Sequence, residues 1–383
     1  MKVIENKTKY KLHELIKVAQ RENNTKRNYL LVNPIQAKHL PVNPKYTLGL
    51  FSQLGNQLKS CYRNDNVVII GFAETATAIG AAVAACFKSD TKYIQTSREN
   101  ITECDNIVNF AEEHSHATEQ KLFCSNPNEF LKNVDRIIFV EDEITTGKTI
   151  LNFIKELKDK NIITDKHSIS AASIINAMNK ENMQKFENIS IACHYLLKIE
   201  NNQGNHLFPH SPLSMLEVKS IDSQAMPAIF SIPGRMDSRI GVVMNEYKNA
   251  CDLLAYSVIE IMKKSRLNFS SILVLGTEEF MYPPILVAKK ISEEFNVENV
   301  RVHSTTRSPI VPCGYEDYPI KSRSKIMSFY CNNRQTFIYN LEHYDQVIII
   351  TDSETHSDLA FLNLVNELNK FGCNDIVGIR WVR

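Results

Sequence analysis

The sequence has almost no net charge. Its 44 lysines and arginines balance 43 aspartates and glutamates, which leaves the 383-residue chain a formal charge of +1. Domains that bind nucleic acid or an anionic membrane surface usually carry an excess of basic residues. We therefore expect neither nucleic acid nor a membrane among the partners of this protein.

Long apolar runs are missing as well. The longest run of small apolar residues, 78–87, is far shorter than the ~20 residues needed to cross a bilayer. The start, MKVIENKTKYKLHELIKVAQ, is polar and charged throughout and lacks the apolar core of a secretory signal. The sequence therefore predicts a cytoplasmic protein that is not exported.

Paired cysteines are also absent. The nine cysteines are scattered over positions 61, 86, 104, 124, 193, 251, 313, 331 and 373, without a C-x-x-C pair. An odd number without paired spacing favours reduced thiols over a disulfide framework or a zinc site. Reduced thiols agree with a cytoplasmic location.

Apolar runs typical of strands alternate with segments typical of helices, which predicts an α/β protein with mainly parallel sheets flanked by helices. In the first half these runs are YLLV (29–32), VVIIG (67–71), KYIQT (92–96), RIIFV (136–140) and SISAASII (168–175). The stretch NNQGNHLFPHSPLSM after residue 200 is typical of a linker. We therefore predict two domains, residues 1–225 and 226–383.

The second half repeats the plan of the first. VIIGFAET (68–75) resembles VLGTEEF (274–280), and TSR (96–98) resembles TTR (305–307). VDRIIFVEDEIT (134–145) parallels YDQVIIITDSET (344–355), with Asp142 matched to Asp352. Three matches in the same order predict two copies of one fold. The copies differ after the third block, where TGKT (146–149) is replaced by HSDL (356–359).

The segment FVEDEITTGKTI (139–150) carries the strongest chemical signal. It reads as a buried strand, a turn rich in hydroxyl groups and a helix. Backbone N–H groups and the dipole at such a helix start favour an anion, so the turn can cradle a phosphate. The three acids before it suit a diol instead. A Walker-type loop would need glycine at position 142, where the chain has Asp142.

EDEITTGKT after an apolar strand resembles the phosphoribosyl pyrophosphate (PRPP) motif of the type I phosphoribosyltransferases. The resemblance implies that Glu141 and Asp142 bind the ribose 2′- and 3′-hydroxyls and contribute to catalysis. It also implies a set of residues around the 5′-phosphate. These are Thr145, Thr146, Gly147, Lys148 and Thr149.

A second element of the resemblance, GFAETATAIG, is similar to the family's pyrophosphate loop, which often contains a non-proline cis peptide. Its loop residues are Phe72, Ala73, Glu74 and Thr75. A glutamate beside pyrophosphate implies Mg²⁺, held mainly through PRPP, with no confident ligand from the protein. Arg98 takes the place of the family's basic catalytic residue. Residues 110–120, with Glu113, His114 and His116, are the expected loop or hood.

Together with GTEEFMYPP, STTRSP and TDSETHSD in the second half, these motifs resemble phosphoribosyltransferase-like proteins with a C-terminal TRSP domain, found in bacterial tellurium-resistance and stress gene clusters. The resemblance implies two tandem phosphoribosyltransferase-like domains, the second diverged. That domain either has its own site or is a degenerate copy kept for packing. Its candidate residues are Glu278, Glu279, Thr305, Thr306, Arg307, Asp352 and His356.

The implied reaction is transfer of phosphoribosyl from PRPP to a base-like nitrogen acceptor, with release of pyrophosphate. Weak candidates for the acceptor pocket are Asn33, Gln36, Lys38, His39, Asn176 and Asn179. Two other classes stay open: a non-catalytic sensor of PRPP or a nucleotide, and a purely structural partner protein. The expected partners are PRPP and a small-molecule acceptor, and a homodimer remains an open expectation.

Overall fold

The computed structural model describes residues 1–22, 27–101, 107–110, 120–200, 226–264, 269–354 and 357–383. The chain forms two compact units, each assembled from three segments. The first unit comprises Met1–Lys9, Gly49–Gln203 and Met236–Asn249. The second unit comprises Tyr10–Leu48, Gly204–Arg235 and Ala250–Arg383. The boundary predicted at residue 225 lies outside the described residues and stays a prediction.

The described residues form eighteen strands and nine helices. The strands are β1 (Lys2–Asn6), β2 (Lys17–Gln20), β3 (Tyr29–Val32), β4 (Val67–Gly71), β5 (Lys92–Gln95), β6 (Ile107–Phe110), β7 (Gln120–Phe123), β8 (Arg136–Ile144), β9 (Ser168–Asn176), β10 (Ala192–Glu200), β11 (Ala228–Ile232), β12 (Val242–Val243), β13 (Ser271–Gly276), β14 (Asn299–Ser304), β15 (Arg323–Met327), β16 (Gln335–Tyr339), β17 (Gln346–Thr351) and β18 (Asp375–Trp381). The helices are α1 (Leu12–Leu15), α2 (Pro44–Cys61), α3 (Thr77–Ala84), α4 (Pro127–Phe130), α5 (Lys148–Asp159), α6 (Lys180–Asn188), α7 (Met244–Lys264), α8 (Tyr282–Glu294) and α9 (Ser357–Asn369).

The sheet of the first unit has the strand order β1-β10-β9-β8-β4-β5-β12 within the described residues. The pairs from β10 to β5 are parallel, and the outer strands β1 and β12 are antiparallel. The inner strand β4 is buried along its whole length, which explains its continuous apolar run. The helix α5 buries Ile150, Phe153, Ile154 and Leu157 on one face.

The sheet of the second unit has the order β11-β18-β17-β13-β14, and all its described pairs are parallel. Its four strands β18-β17-β13-β14 match β9-β8-β4-β5 of the first unit in both order and sequence position. The antiparallel pair β15-β16 follows β14 as β6-β7 follows β5. The prediction of two domains with mainly parallel sheets flanked by helices is therefore confirmed.

Two segments join a unit that their sequence position does not suggest. YLLV forms β3, which pairs with β2 in a separate two-stranded sheet of the second unit rather than in the first large sheet. The β2-β3 pair packs there against an apolar cluster that includes Ile310 and Tyr339. Conversely, β12 lies in the second half of the sequence but pairs with β5 of the first unit. No described helix is long and apolar enough to span a membrane.

The helix α3 lies close to β4 because both carry glycine at the point of contact. A Cβ atom on Gly80 would lie 2.9 Å from the Gly71 Cα and 2.9 Å from the Tyr93 Cε2. A Cβ atom on Gly71 would lie 3.0 Å from the Ala76 carbonyl oxygen. This close approach fixes the position of the turn between β4 and α3.

Replacing Gly80 with alanine is expected to destabilise the first unit, because the added methyl group overlaps backbone. The cost of such overpacking is about 1–3 kcal/mol. The matched control is Gly49→Ala in α2, where nothing lies within 4 Å of the added Cβ. There alanine should stabilise the helix by about 0.5–1 kcal/mol. Thermal unfolding of both variants checks the pair, and shifts of the same sign would contradict this packing.

Candidate functional site

The turn between β8 and α5 requires glycine at position 147. Gly147 is the N-cap of α5 and has a φ of +75°, in the left-handed region that favours glycine. A Cβ atom there would also lie 2.3 Å from the Phe186 Cε2. The backbone conformation and the contact with α6 therefore both exclude a side chain at this position.

The start of α5 presents backbone N–H groups and hydroxyl groups at one place. The Lys148 N–H donates to the Thr146 Oγ1 at 3.3 Å, and the Leu151 N–H donates to the Gly147 carbonyl at 3.0 Å. Thr145, Thr146 and Thr149 are half-buried, whereas Lys148 is exposed. This arrangement can accept an anion at the positive end of the helix dipole.

Asp142 lies near the carboxyl end of β8 and is half-buried. Burial raises the pKa of its carboxyl group from 3.8 to about 6, the Thr75 side chain counters the shift through a hydrogen bond, and Glu143 adds repulsion. Because side chains alternate along a strand, Glu141 and Glu143 share the face opposite to Asp142. The Thr75 contact brings the acidic strand end together with the turn after β4.

The turn after β4 is held by hydrogen bonds from three sides. The Phe72 N–H donates to the Val140 carbonyl of β8 at 3.1 Å. The Ala73 N–H donates to the Thr96 Oγ1 at 2.8 Å, and the Gln120 Nε2 donates to the Ala73 carbonyl at 2.7 Å. The Ala73–Glu74 peptide bond is cis, as the resemblance implies, and Glu74 is buried.

Thr96 and Gln120 are two site residues that the sequence reasoning did not single out. Both are buried, and their side chains are hydrogen-bonded to each other beneath Ala73. Thr96 stood in the repeated TSR block, and its counterpart Thr305 makes the same type of contact in the second unit. The repeat could therefore have identified Thr96. Gln120 has no comparable signal in the sequence.

Arg98 follows β5 and is half-buried. Its neighbour Ser97 pairs with Lys121 through both backbone groups, at 2.8 and 2.9 Å, which fixes the chain at the base of the β6-β7 pair. Glu113, His114 and His116, which were predicted for a loop or hood, lie outside the described residues. Their role stays a prediction.

The residues proposed for an acceptor pocket are divided between the two units. The Asn176 side chain accepts hydrogen bonds from the Met178 N–H and the Lys198 Nζ, and Asn179 caps α6. The segment with Asn33, Gln36, Lys38 and His39 belongs to the second unit. There the Lys38 Nζ donates to the backbone carbonyls of Glu278 and Thr305. A role of these residues in an acceptor pocket stays a prediction.

Most candidates of the second unit are brought together at the carboxyl ends of β13 and β14. The Arg307 Nε donates to the Glu278 carboxylate at 2.7 Å and the Arg307 guanidinium lies 3.7 Å from Glu279. The Glu278 N–H donates to the Thr305 Oγ1 at 3.0 Å. Thr306 and Asp352 are buried at the ends of the neighbouring strands, and His356 lies outside the described residues.

Within the described residues, no group of three or more His, Cys, Asp or Glu side chains could hold a metal ion. The acids at the β8 end alternate between faces and are not gathered around one point. The described chain therefore offers carboxylate oxygens near a possible cation but no complete coordination shell.

Comparison with known proteins gives two family matches along the chain. The family described as phosphoribosyl transferase matches residues 15–202, and the TRSP domain that lies C-terminal to it matches residues 237–368. The xanthine phosphoribosyltransferase of Brevibacillus brevis is 21% identical over 173 residues, which are 45% of this chain and 84% of that protein.

Solved adenine phosphoribosyltransferases are distant structural neighbours. The Giardia lamblia enzyme in complex with 9-deazaadenine has a TM-score of 0.37 and 12% identity, over 49% of this chain and 96% of that one. The Leishmania tarentolae enzyme has a TM-score of 0.33 and 13% identity, over 49% and 85% of the two chains.

The two family matches follow each other in the order that the motifs indicated, one over each half of the sequence. The chain therefore belongs to the phosphoribosyltransferase-like proteins that carry a C-terminal TRSP domain.

Proposed function

We propose that the first unit transfers the phosphoribosyl group of PRPP to a nitrogen atom of a base-like acceptor and releases pyrophosphate. The observation that carries this proposal is the hydrogen bond between the side chains of Thr75 and Asp142. It joins the turn after β4 to the acidic end of β8. These are the two places that would hold the pyrophosphate and the ribose of one PRPP molecule.

The phosphate and the ribose hydroxyls are assigned to different groups because their charges differ. Phosphate carries negative charge and is repelled by carboxylates, so we assign it to residues 145–149, where a helix begins and three threonines supply hydroxyl groups. Ribose hydroxyls donate hydrogen bonds and suit the carboxylates of Glu141 and Asp142. A carboxylate that accepts such bonds makes stronger contacts than a neutral group would.

The pyrophosphate would lie at the turn formed by Phe72, Ala73, Glu74 and Thr75. The buried Glu74 would repel it unless a cation lies between them. Mg²⁺ commonly binds through substrate phosphates, water and one or two carboxylates rather than through a complete protein shell. The described residues fit that mode, with Glu74 and Asp142 as candidate ligands. The ion would neutralise charge on the pyrophosphate.

In the proposed reaction, the bond between ribose C1 and the pyrophosphate oxygen breaks, and its electron pair leaves with pyrophosphate. The acceptor nitrogen forms the new bond to C1, and its proton passes to solvent water. This chain would contribute mainly position and charge. Glu141 and Asp142 would orient the ribose ring and stabilise its positive charge. Arg98 would stabilise the negative charge that develops on the leaving pyrophosphate.

The acceptor is assigned only by class. The Brevibacillus brevis relative is named for xanthine, a heterocyclic base with several ring nitrogens. A panel of purine and pyrimidine bases is therefore the first set to test. A sensor would bind PRPP through the same groups without turnover. Release of pyrophosphate from PRPP in the presence of each base separates the two functions, because a sensor releases none.

Asp142→Asn is expected to weaken PRPP binding in the presence of Mg²⁺ by about 10- to 100-fold. The variant keeps the shape of the side chain but loses charge-assisted hydrogen bonds worth about 1.5–3 kcal/mol. Isothermal titration calorimetry measures the change. The matched control is Asp159→Asn on the exposed surface of α5, which should leave the affinity unchanged. Equal affinity of the Asp142 variant and the unmodified chain would refute the assignment.

The raised pKa of Asp142 predicts a pH dependence of both binding and stability. Folding moves this pKa from 3.8 to about 6, so the folded chain retains the proton to a higher pH than the unfolded chain. This group therefore lowers the stability as pH rises from 3.8 to about 6, and the loss persists above that range. PRPP needs the ionised form, so its affinity should fall by about tenfold per pH unit below about 6.

The phosphates of PRPP titrate in the same range, so the measurement needs a reference. The Asp142→Asn variant is this reference, because its affinity still changes as the ligand phosphates titrate but no longer changes with the titration of Asp142. The dissociation constants of both proteins are measured between about pH 5 and about pH 7. The steeper dependence is expected for the unmodified chain, and identical slopes would rule out Asp142 as the titrating group.

A further inference from the structure

The second unit keeps the backbone frame of the proposed site. In the first unit the Ala73 N–H donates to the Thr96 Oγ1 at 2.8 Å, and in the second the Glu278 N–H donates to the Thr305 Oγ1 at 3.0 Å. The backbone pairing of Ser97 with Lys121 recurs between Thr306 and Phe337. The two units can therefore be compared position by position, with Glu278 in the place of Ala73.

Glu278 fills the turn that would hold pyrophosphate in the first unit. Its side chain is fully buried and accepts hydrogen bonds from the Ser328 Oγ at 2.5 Å and the Arg307 Nε at 2.7 Å. The guanidinium of Arg334 lies 3.1 Å from the same carboxylate. Two guanidinium groups around one anionic oxygen group are the arrangement that proteins use for phosphate groups.

The backbone of Glu278 has a φ of +46°, in the left-handed region that is uncommon for residues other than glycine. Such a conformation persists only where the surroundings over-determine it. Here the contacts of the Glu278 carboxylate with Ser328, Arg307 and Arg334 hold the residue in this conformation.

Tyr330 lies where the first unit would bind the ribose hydroxyls. Its hydroxyl donates to the Asp352 Oδ1 at 2.5 Å and lies 2.8 Å from the Thr277 Oγ1. Asp352 is the counterpart of Asp142, which would bind a ribose hydroxyl in the first unit. The phenol thus offers Asp352 the same chemical group that a ribose would offer Asp142.

The N-terminus of α9 also differs from the corresponding N-terminus of α5. Ser357 stands where the first unit has Gly147, and Asp358 stands where it has Lys148. The Arg380 Nε donates to the Ser357 Oγ at 2.8 Å, and the guanidinium of Arg380 also pairs with Asp358. This end of the helix therefore presents an acid with its own cation in place of a phosphate-binding turn.

We infer that the second unit is a closed copy of the PRPP site, in which the Glu278 carboxylate replaces the anionic leaving group and the Tyr330 hydroxyl replaces a ribose hydroxyl. The inference rests on the proposed function of the first unit. It implies that the second unit binds no PRPP. It also implies that Arg307 and Arg334 form a latent site for a phosphate-type anion, which Glu278 fills.

Glu278→Ala in the full chain tests the latent site. The variant removes both the side chain that fills the site and the charge of its carboxylate beside Arg307 and Arg334. Inorganic pyrophosphate is the probe, measured by calorimetry and by the shift in melting temperature. We expect one more pyrophosphate bound per chain than in the unmodified protein, with a larger rise in melting temperature. The absence of an additional site would overturn the inference.

Glu279→Ala is the matched control, because it removes the same charge from the neighbouring residue, whose carboxylate lies 3.7 Å from the Arg307 guanidinium, against 2.7 Å for Glu278. It should not create a pyrophosphate site. An additional site of equal affinity in this variant would show that loss of any nearby negative charge suffices, which contradicts the specific role of Glu278.

Tyr330→Phe provides a second test that does not depend on the stability of the Glu278 variant. Loss of the hydroxyl should lower the melting temperature, and PRPP should still bind one per chain with unchanged affinity. Binding of two PRPP molecules per unmodified chain would refute the inference that the second unit is a closed copy. A loss of PRPP binding in Tyr330→Phe would refute it as well. If the unmodified chain binds no PRPP, the proposed function fails, whereas the pyrophosphate measurement on Glu278→Ala still decides the latent site.

Discussion

The parallel pairing of β4 with β8 is the constraint on which the site depends. Gly71 lies opposite Val140 in this register, so the turn after β4 and the acidic end of β8 begin at the same edge of the sheet. The Phe72 N–H then reaches the Val140 carbonyl, and Thr75 reaches Asp142. A register shift would move the two turns apart and reverse the faces of the acidic residues.

The same constraint operates in the second unit with a different result. Leu275 lies opposite Ile349, and the turns after β13 and β17 again meet at one edge. Here large polar side chains from the loop between β15 and β16 fill the space between the turns. The backbone frame thus sets where a ligand could bind. The side chains decide whether the place is open or already occupied.

The sequence was most informative where a function is encoded within a few consecutive residues. The acids at 141–143 and the glycine at 147 were identified from one short segment, because strand, turn and helix each have a local pattern. The structure adds the reason for Gly147, which is its contact with Phe186 from a distant helix. Such a contact has no local signature. For the same reason Gln120, which supports Ala73, was not predicted.

The sequence also did not predict which unit β3 and β12 would join. The strand β12 has only two residues, and β3 has an apolar run that would suit either sheet. Local patterns predict that a strand forms but not which partner it joins. A consequence is that residues 226–383 are not a separable part of the chain. Their removal would take β12 from the first unit and leave β2-β3 without their apolar cluster.

The two copies differ in the contacts of the carboxylates at their strand ends. The first unit has Glu74 after β4 and has Glu141, Asp142 and Glu143 along the end of β8. The second gathers Glu278, Glu279 and Asp352 with Lys38, Arg307 and Arg334. Glu143 repels the ionised form of Asp142, so a ligand that brings Mg²⁺ would relieve this repulsion. In the second unit the Glu278 carboxylate already contacts Arg307 and Arg334, and a charged ligand would have to displace it.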